Sequence, residues 1–495
     1  MLQQGGNAAD ATAATILALS VTDATSFCFG GEVPILVYDA KRRVVEVIAG
    51  QGAAPRLATC DYFEKHGGIP ERGIEPAAVP AALDACLTLL DRHGTVTFEQ
   101  AAASMLELLD HGTRDWHPDL ARTIRRLVEA EKAGSGDRSR GLRLVADYFY
   151  RGPLAQEIDT WCQANGGLLR YADLATHVTR VEEPVVASYR GHSIFKCGAW
   201  TQGPYLLETL QLLEGFDLAG AGQNSPTTIH LVVEAMKLAL ADRDTYYADP
   251  LFVRVPLDAL LSANYAALRR PLIHPQKASL ARRPGDPLAM KSLADLANLP
   301  PGPEGRSQDT TTCLVADGTG NVVAATPSGW SGVVAGPTGV WLGSRLQSFN
   351  TWKDHPNVIE PGKRPRITLT PSLVFKNNKP VLAVSVAGGD EQDQTSLQLI
   401  LNHIDFGLSP AESVTSPRFG TNHHIGSFRQ KPPELGDLHI SPDVGEGTIE
   451  ELKARGHQVV AKAPASAPCV IAIDPDTRKL QAAGDPKTRR HAAAY

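Results

Sequence analysis

The spacing of apolar residues changes along the chain, from helical periods in the first part to short strand-like runs after position 310. Apolar side chains at intervals of three or four residues predict helices. The segments with this spacing are 8–19, 83–109, 205–213, 228–247, 395–404 and 448–455. Short runs rich in β-branched residues predict strands, and they lie at 33–38, 44–48, 313–316, 322–326, 373–375 and 381–385. Together these segments predict an α+β fold.

Three consecutive threonines lead one of the predicted hairpins. Thr310, Thr311 and Thr312 precede an apolar run, a turn at Gly318-Thr319-Gly320-Asn321 and a second apolar run. The connector at 299–308, immediately upstream, is rich in Pro and Gly. Such a segment suits a precursor that cuts itself before Thr310, because the new terminal amine could then activate the threonine hydroxyl. Threonine is also a common strand residue, so this segment alone leaves both interpretations open.

The amino-acid composition limits the classes of protein to which this chain could belong. Hydrophobic residues make up 43% and charged residues 21%, as in ordinary globular proteins. The net charge of −6 gives no reason to expect nucleic acid or an anionic membrane as partner, and no apolar run is long enough to span a bilayer. The seven cysteines include no Cys-x-x-Cys pair, so we expect free thiols rather than disulfides or a zinc site.

Two other motifs predict neither a metal nor a cofactor. His423-His424 has no carboxylate or third ligand at metal spacing, so we expect it in a surface loop. Gly5-Gly6 and Gly318-Thr319-Gly320 lack the strand–glycine loop–helix context of a phosphate-binding fingerprint. The chemistry predicted for this chain therefore uses its own side chains and no cofactor.

Several separated motifs, found in the expected order, resemble the γ-glutamyltranspeptidase family of N-terminal-nucleophile hydrolases. They are Gly5-Gly6-Asn7-Ala8-Ala9-Asp10, Tyr189-Arg190-Gly191-His192, Glu234-Ala235-Met236-Lys237, Asp309-Thr310-Thr311, Pro361-Gly362-Lys363-Arg364-Pro365 and Gly388-Gly389. The match runs nearly end to end, and the chain is identified as a member of this family. The resemblance implies a four-layer αββα sandwich in which a large subunit, 1–309, and a small subunit, 310–495, share one core.

The start of the chain is unusual for that family. Its members normally have a strand before the helix that opens here at Gly5-Gly6, so we expect the N-terminus to be incomplete, including any export signal. The visible sequence favours a cytoplasmic location and leaves the periplasm and secretion open. Assembly of two processed heterodimers into a homodimer is also left open.

The resemblance implies a catalytic group around Thr310. Thr310 would be the nucleophile, and Ser328 aligns with a hydroxyl residue that the family places beside it. Gly388 and Gly389 follow an apolar strand, where backbone N–H groups can approach a ligand closely and stabilise an oxyanion. The simpler alternatives are a solvent-facing strand serine and an ordinary glycine turn.

The substrate-binding positions differ from those of family members that act on γ-glutamyl compounds. Gln51 stands where an arginine holds the substrate α-carboxylate, and Ser348 stands where an aspartate holds the α-amine. A pocket Ser-Ser pair becomes Ile367-Thr368, and an asparagine becomes Trp330. Losing a bidentate arginine and a counter-charge argues for a different acyl group, since such charged sites discriminate strongly.

Two charged residues could compensate for the missing substrate contacts. Arg345 lies three residues before Ser348 and could receive a carboxylate from another direction, unless it is a surface arginine. Asp390 directly follows Gly389 and could meet an amine or order the glycine loop. The stretch from 350 to 361 is short where many family members carry a lid, and an open site favours hydrolysis over transfer.

The sequence thus predicts a self-processing amidohydrolase or acyltransferase that works through a threonyl acyl-enzyme. Its partner would be a small amide or peptide, cleaved at a γ-glutamyl or related acyl bond as in a glutathione hydrolase. The first alternative is a non-γ-glutamyl amidase, similar to the oxamate amidohydrolase and cephalosporin acylase branches. The second is an unprocessed, non-catalytic member of the family.

Overall fold

Two antiparallel β-sheets lie face to face, and helices cover both outer faces. This computed structural model describes residues 1–293, 310–329 and 333–494. The helices are α1 (Ala8–Thr22), α2 (Cys60–Lys65), α3 (Ala82–His93), α4 (Phe98–Asp110), α5 (His117–Lys132), α6 (Arg138–Tyr150), α7 (Pro153–Ala164), α8 (Tyr171–Ala175), α9 (Pro204–Leu213), α10 (Leu218–Ala221), α11 (Pro226–Tyr246), α12 (Leu257–Leu260), α13 (Ala263–Arg269), α14 (Glu391–Ile404), α15 (Pro410–Thr415) and α16 (Glu446–Ala454).

The strands are β1 (Val33–Asp39), β2 (Val44–Gly50), β3 (Arg180–Glu182), β4 (Val185–Tyr189), β5 (His192–Lys196), β6 (Gly285–Asp286), β7 (Lys291–Ser292), β8 (Cys313–Ala316), β9 (Val322–Ala325), β10 (Val333–Val334), β11 (Trp341–Leu342), β12 (Ser372–Lys376), β13 (Lys379–Ala387), β14 (Phe419–Gly420), β15 (Asp437–Ile440), β16 (Gln458–Ala461), β17 (Ala467–Ile473) and β18 (Leu480–Gly484). The first large sheet has the strand order β3-β2-β1-β9-β8. The second has the order β18-β17-β13-β12-β5-β4.

Three hydrophobic cores hold the four layers together. Between the sheets, Leu36 and Ala324 from the first sheet pack in one cluster with Leu373 and Phe375 from the second. Helices α1 and α3–α7 pack on the outer face of the first sheet. Helices α9, α11, α13, α14 and α16 pack on the second. In β1, for example, Ile35 and Val37 face the helical layer while Leu36 and Tyr38 face the other sheet. The predicted αββα sandwich is confirmed.

Each sheet combines strands from both sides of position 310. In the first sheet, β1 pairs with β9 in the register Ile35↔Ala325. In the second, β5 pairs with β12 in the register Phe195↔Leu373. A chain cut before Thr310 would therefore give two pieces whose strands pair with each other within the same two sheets and share one core.

The hairpin after the threonine triplet is confirmed, since β8 and β9 pair antiparallel across the turn at 317–321. The predicted cap of the first helix is also present: the Asn7 side chain accepts a hydrogen bond from the Asp10 backbone N–H at 3.0 Å. The predicted start of α14 at Thr395 is wrong, because the helix begins at Glu391. Its polar first turn hides the periodicity, and the correction places Gly388-Gly389 directly before a helix.

The prediction that His423-His424 lies on the surface is also wrong. Both side chains are buried. The Gly436 backbone N–H donates to His423 Nδ1 at 2.8 Å, and Arg243 Nη2 lies 3.1 Å from His424 Nδ1. The loop is buried because its polar atoms find partners in neighbouring segments, which the local sequence pattern does not reveal.

All seven cysteines are free thiols. Within 1–293, 310–329 and 333–494, His, Cys, Asp and Glu side chains form no group of three or more that could hold a metal ion. Over the same ranges, no helix combines the length and apolar character needed to cross a membrane.

A buried ion pair fixes the first turn of α14 to the second sheet. Lys196 Nζ on β5 lies 2.7 Å from Asp393 Oδ1, and both side chains are fully buried. The same ammonium group donates to Thr370 O at 2.8 Å and Ser372 Oγ at 2.9 Å. These hydrogen bonds allow the charge to lie in the interior despite its desolvation.

We expect Lys196→Met to lower the free energy of unfolding by about 3–5 kcal/mol, because Asp393 would be left as a buried charge without its partner. Chemical denaturation monitored by circular dichroism measures the change. Exposed Lys379→Met is the control and should change stability by less than about 0.5 kcal/mol. Equal stability of the two variants would contradict the structural role given to Lys196.

Candidate active site

Strand register brings Thr310 beside Ser328 and Glu32. Thr310 and Ser328 form an antiparallel bridge, and Ser328 forms another with Glu32, just before β1. Residues opposite one another in antiparallel strands place their side chains on the same face. Thr310 Oγ1 accordingly lies 3.3 Å from Ser328 Oγ, and the threonine is only 6% exposed. The two hydroxyls predicted to act together are in hydrogen-bond contact.

A buried arginine fixes the Ser328 hydroxyl. Arg345 lies in a short 3₁₀ turn, Arg345–Ser348. Its Nη2 donates to Ser328 Oγ at 2.8 Å, and its Nε donates to Glu32 Oε1 at 2.6 Å. Arg345 is therefore not a surface arginine, and the carboxylate that it contacts in this structure is Glu32. Sequence reasoning missed Glu32, although an acid between Gly30-Gly31 and the apolar run 33–37 is a recognisable signal.

The glycine pair lies at the N-terminus of α14, where the strand β13 ends. Gly388 has a φ of 139° and Gly389 a φ of 59°, both in a region that favours glycine. A Cβ on Gly388 would also approach Ala465 O to 3.0 Å. Backbone N–H groups at the start of a helix attract negative charge. The position suits the predicted oxyanion role of this pair, which stays a prediction.

Gln392, the second residue of the same helix, also approaches the Thr310 hydroxyl. It is buried, and one terminal atom of its carboxamide lies 3.3 Å from Thr310 Oγ1 and 3.3 Å from Thr368 Oγ1. Thr368 and Thr310 thus contact the same carboxamide atom, and the role of Thr368 as a pocket residue stays a prediction. Sequence reasoning missed Gln392 because the predicted helix began three residues after it.

The Asp390 carboxylate is already hydrogen-bonded to neighbouring residues of the protein. Its carboxylate accepts hydrogen bonds from Arg243 Nη1 at 2.8 Å, the Ser427 backbone N–H at 2.8 Å and Ser427 Oγ at 2.6 Å. Burial opposes its ionisation, but His424, Arg243 and Ser427 hold the pKa of Asp390 below its ordinary value. Of the two predicted roles, these contacts favour ordering of the glycine loop.

Buried, uncharged residues stand at the two positions where the charged γ-glutamyl contacts are missing. Gln51 follows β2, and its Nε2 donates to Gly52 O at 3.1 Å. Ser348 shares the 3₁₀ turn with Arg345. Gln51 Oε1 and Ser348 Oγ are buried and have no hydrogen-bond partner within the part of the chain that the structure describes. Trp330 lies outside the described residues.

This arrangement can support nucleophilic catalysis by threonine. A hydroxyl needs a base within hydrogen-bond reach, and an N-terminal amine, with an ordinary pKa near 8, can serve as that base. Thr310 would acquire such an amine if the bond before it were cut. Ser328 and Gln392 contact its hydroxyl, and the glycine N–H groups lie at the adjacent helix terminus.

Comparison with known proteins identifies the family. The family model described as "Gamma-glutamyltranspeptidase" matches residues 1–126 and 106–495. The chain belongs to the γ-glutamyltranspeptidase family. It is similar to the glutathione hydrolase proenzyme of Bacillus subtilis (strain 168), with 30% identity over 493 residues, 92% of this chain and 82% of the relative.

Two further relatives of this γ-glutamyltranspeptidase-family chain carry acylase names. The Acylase ACY 1 proenzyme of Pseudomonas sp. (strain SE83) is 30% identical over 96% of this chain and 87% of its own length. The crystal structure of cephalosporin acylase from Bacillus halodurans is 26% identical and superposes with a TM-score of 0.83, over all of this chain and 92% of that one. The chain is therefore an N-terminal-nucleophile hydrolase, in a family whose named members include glutathione hydrolases and acylases.

A histidine beside α14 links stability to pH. His439 Nδ1 lies 3.0 Å from Asp437 Oδ2, and its Nε2 lies 3.1 Å from Oε1 of Glu391, the first residue of the helix. Burial opposes its charge, but the interactions with the two carboxylates outweigh burial and raise the pKa of His439 to about 9. A raised pKa in the folded state stabilises the protein below the unfolded pKa near 6.5, and this contribution is lost as pH rises through 9.

We expect His439→Gln to lower the free energy of unfolding by about 2–3 kcal/mol at pH 6, because two carboxylates lose their charged partner. The difference from wild type should shrink by pH 10, where His439 is neutral in both states. Denaturant titrations of both proteins at pH 6, 8 and 10 measure it. A difference independent of pH would show that His439 is not charged in the fold.

Proposed function

We propose that the chain cuts itself before Thr310 and then hydrolyses a small amide whose acyl group lacks the charged pair of a γ-glutamyl group. The observation that carries this proposal is the hydrogen-bonded row of Thr310, Ser328, Arg345 and Glu32 beside the glycine pair of α14. These hydrogen bonds hold Ser328, the neighbour of Thr310, in one orientation. Acyl transfer requires groups fixed in this way.

Catalysis would follow from the contacts around Thr310. The terminal amine accepts the proton of the Thr310 hydroxyl as its oxygen attacks the acyl carbonyl, and the developing oxyanion is stabilised by glycine N–H groups. The amine part of the substrate takes up this proton and leaves, and the acyl group remains on Thr310 as an ester. Water then attacks this ester, which releases the acid and regenerates Thr310. No step needs a cofactor.

The charges around the site support an acyl group other than γ-glutamyl. Gln51 and Ser348 carry no charge. The positive charge of Arg345 is balanced by Glu32 at 2.6 Å, and the negative charge of Asp390 is balanced by Arg243 at 2.8 Å. A buried α-carboxylate or α-ammonium group would thus find no unbalanced counter-charge at these four positions, and burying an unpaired charge is strongly unfavourable.

The neutral polar atoms of the same positions suit a neutral or mildly polar acyl group. Gln51 Oε1 and Ser348 Oγ are buried and without partners among the described residues, so each can form a hydrogen bond with a substrate.

The segment 350–361 folds into a compact turn closed by the Asn350↔Val358 bridge. We favour hydrolysis over transfer because so short a segment would do little to keep water from the ester.

We expect Thr310→Ala to abolish both self-cleavage and amide hydrolysis, because the attacking hydroxyl is removed. A denaturing gel with N-terminal sequencing should show pieces 1–309 and 310–495 for wild type and one uncut band for the variant. Thr312→Ala, the same change two residues later, is the matched control and should still be cut. An uncut wild-type chain would favour the non-catalytic alternative.

We expect wild type to prefer uncharged acyl groups by at least about tenfold in kcat/KM. A matched series of p-nitroanilides, γ-glutamyl, glutaryl and pentanoyl, separates the effects of the ammonium and the carboxylate. Ammonia release from oxamate tests a very short acyl group that carries a carboxylate, and it should be slow. The double variant Gln51→Arg/Ser348→Asp should shift the preference towards γ-glutamyl. Faster turnover of the γ-glutamyl compound by wild type would refute the pocket argument.

A further inference from the structure

The Gln392 carboxamide lies between the nucleophile and the glycine pair. One of its two terminal atoms is 3.3 Å from Thr310 Oγ1, and its backbone N–H begins the helix by donating to Gly389 O at 3.1 Å. The side chain is only 1% exposed. A buried carboxamide must satisfy both its oxygen and its nitrogen, so its neighbours determine which atom faces Thr310.

The surrounding donors and acceptors assign the oxygen to the side that faces Thr310. In that orientation, Gln392 Oε1 accepts a hydrogen bond from the Gly389 backbone N–H at 3.2 Å. Its Nε2 donates to Val386 O at 2.9 Å and Thr368 O at 3.2 Å. The opposite orientation would place the oxygen against these two carbonyls and the amide nitrogen against the Gly389 N–H. Both of those arrangements are repulsive.

The position of Gln392 Oε1 has the contacts expected of a reacting carbonyl oxygen. An oxyanion in acyl transfer lies about 3 Å from its backbone donor and close to the attacking hydroxyl. The Gln392 oxygen is a carboxamide oxygen, the same functional group as the carbonyl of an amide substrate. It therefore forms, within the protein, the hydrogen bond that a substrate oxygen would form with Gly389.

We propose that Gln392 is a placeholder for the oxyanion: its carboxamide oxygen satisfies the Gly389 N–H in the unliganded site and is displaced when an amide substrate binds. This inference rests on the proposed function, because it assumes that Gly389 serves the reaction of Thr310. A placeholder keeps a buried N–H paired in the absence of substrate. It also lowers the apparent affinity, since each substrate must replace one hydrogen bond.

Replacement of Gln392 should separate binding from chemistry. Gln392→Met keeps the length of the side chain and removes the competing oxygen, so KM should fall about two- to tenfold with kcat little changed, as expected for one hydrogen bond. Gln392→Glu places a carboxylate against Gly389, so kcat/KM should fall at least about tenfold at neutral pH. That loss should lessen as the pH is lowered and the carboxyl group is protonated.

Gln394 provides the matched control. It lies on the same helix and is equally buried, but its carboxamide pairs with Thr421, donating to O at 3.0 Å and accepting from N at 2.8 Å. Gln394→Met therefore also removes a buried carboxamide, without touching Thr310 or Gly389. If the KM of Gln394→Met falls as much as that of Gln392→Met, the effect is structural and the placeholder role is refuted.

Amide hydrogen exchange tests the inference without any need for turnover. In the unliganded protein, the Gly389 N–H should exchange faster in Gln392→Met than in wild type, and Gln394→Met should leave it unchanged. Mass spectrometry of peptides covering 386–391 measures this exchange. Unchanged protection of Gly389 in Gln392→Met would overturn the inference. If wild type hydrolyses no amide, the proposed function fails, and the exchange result still decides whether Gln392 covers Gly389.

Discussion

The site depends on the antiparallel register of the strands around β1 and β9. Ile35 pairs with Ala325 in this register, and the same alignment continues outward to place Glu32 opposite Ser328. Ser328 in turn lies opposite Thr310. A shift of one residue would turn the side chains of one strand to the other face, so the hydrogen bond between the two hydroxyls would be lost. The apolar faces of both sheets fix this register, because a slip would expose the core.

Around this row, buried charges are matched by opposite charges on other segments. Arg345 pairs with Glu32, Arg243 with Asp390, and Lys196 with Asp393. The last two pairs join α14 to other elements, so the helix that carries the glycine pair is fixed at its first turn. Uncompensated buried charges are strongly unfavourable, and in each of these three pairs the charge lies against an opposite one. The proposed preference for an uncharged acyl group and the fixed position of the glycine pair would then have the same physical origin.

Local sequence patterns predicted much of this centre. The hairpin from Cys313 to Ala325 follows from two apolar runs around a Gly/Asn turn, and its geometry depends on neighbours close in sequence. The start of α14 could not be predicted in the same way, because Glu391–Gln394 is polar on all sides and becomes helical through tertiary contacts such as that of Asp393 with Lys196. The buried His423-His424 shows the same limitation, since its partners are Arg243 and Gly436, remote in sequence.

The sequence by itself determined the class of reaction: a threonine-led hairpin, a strand running into two glycines, and a set of family motifs in order. It also determined which charged substrate contacts are absent, since residue identity decides charge. Only the tertiary structure decided what each remaining side chain touches. It paired Arg345 with Glu32, 313 residues apart, directed Asp390 to Arg243, and placed the Gln392 oxygen against Gly389. These outcomes depend on which distant segments pack together to satisfy buried polar groups, and no local pattern encodes such long-range contacts.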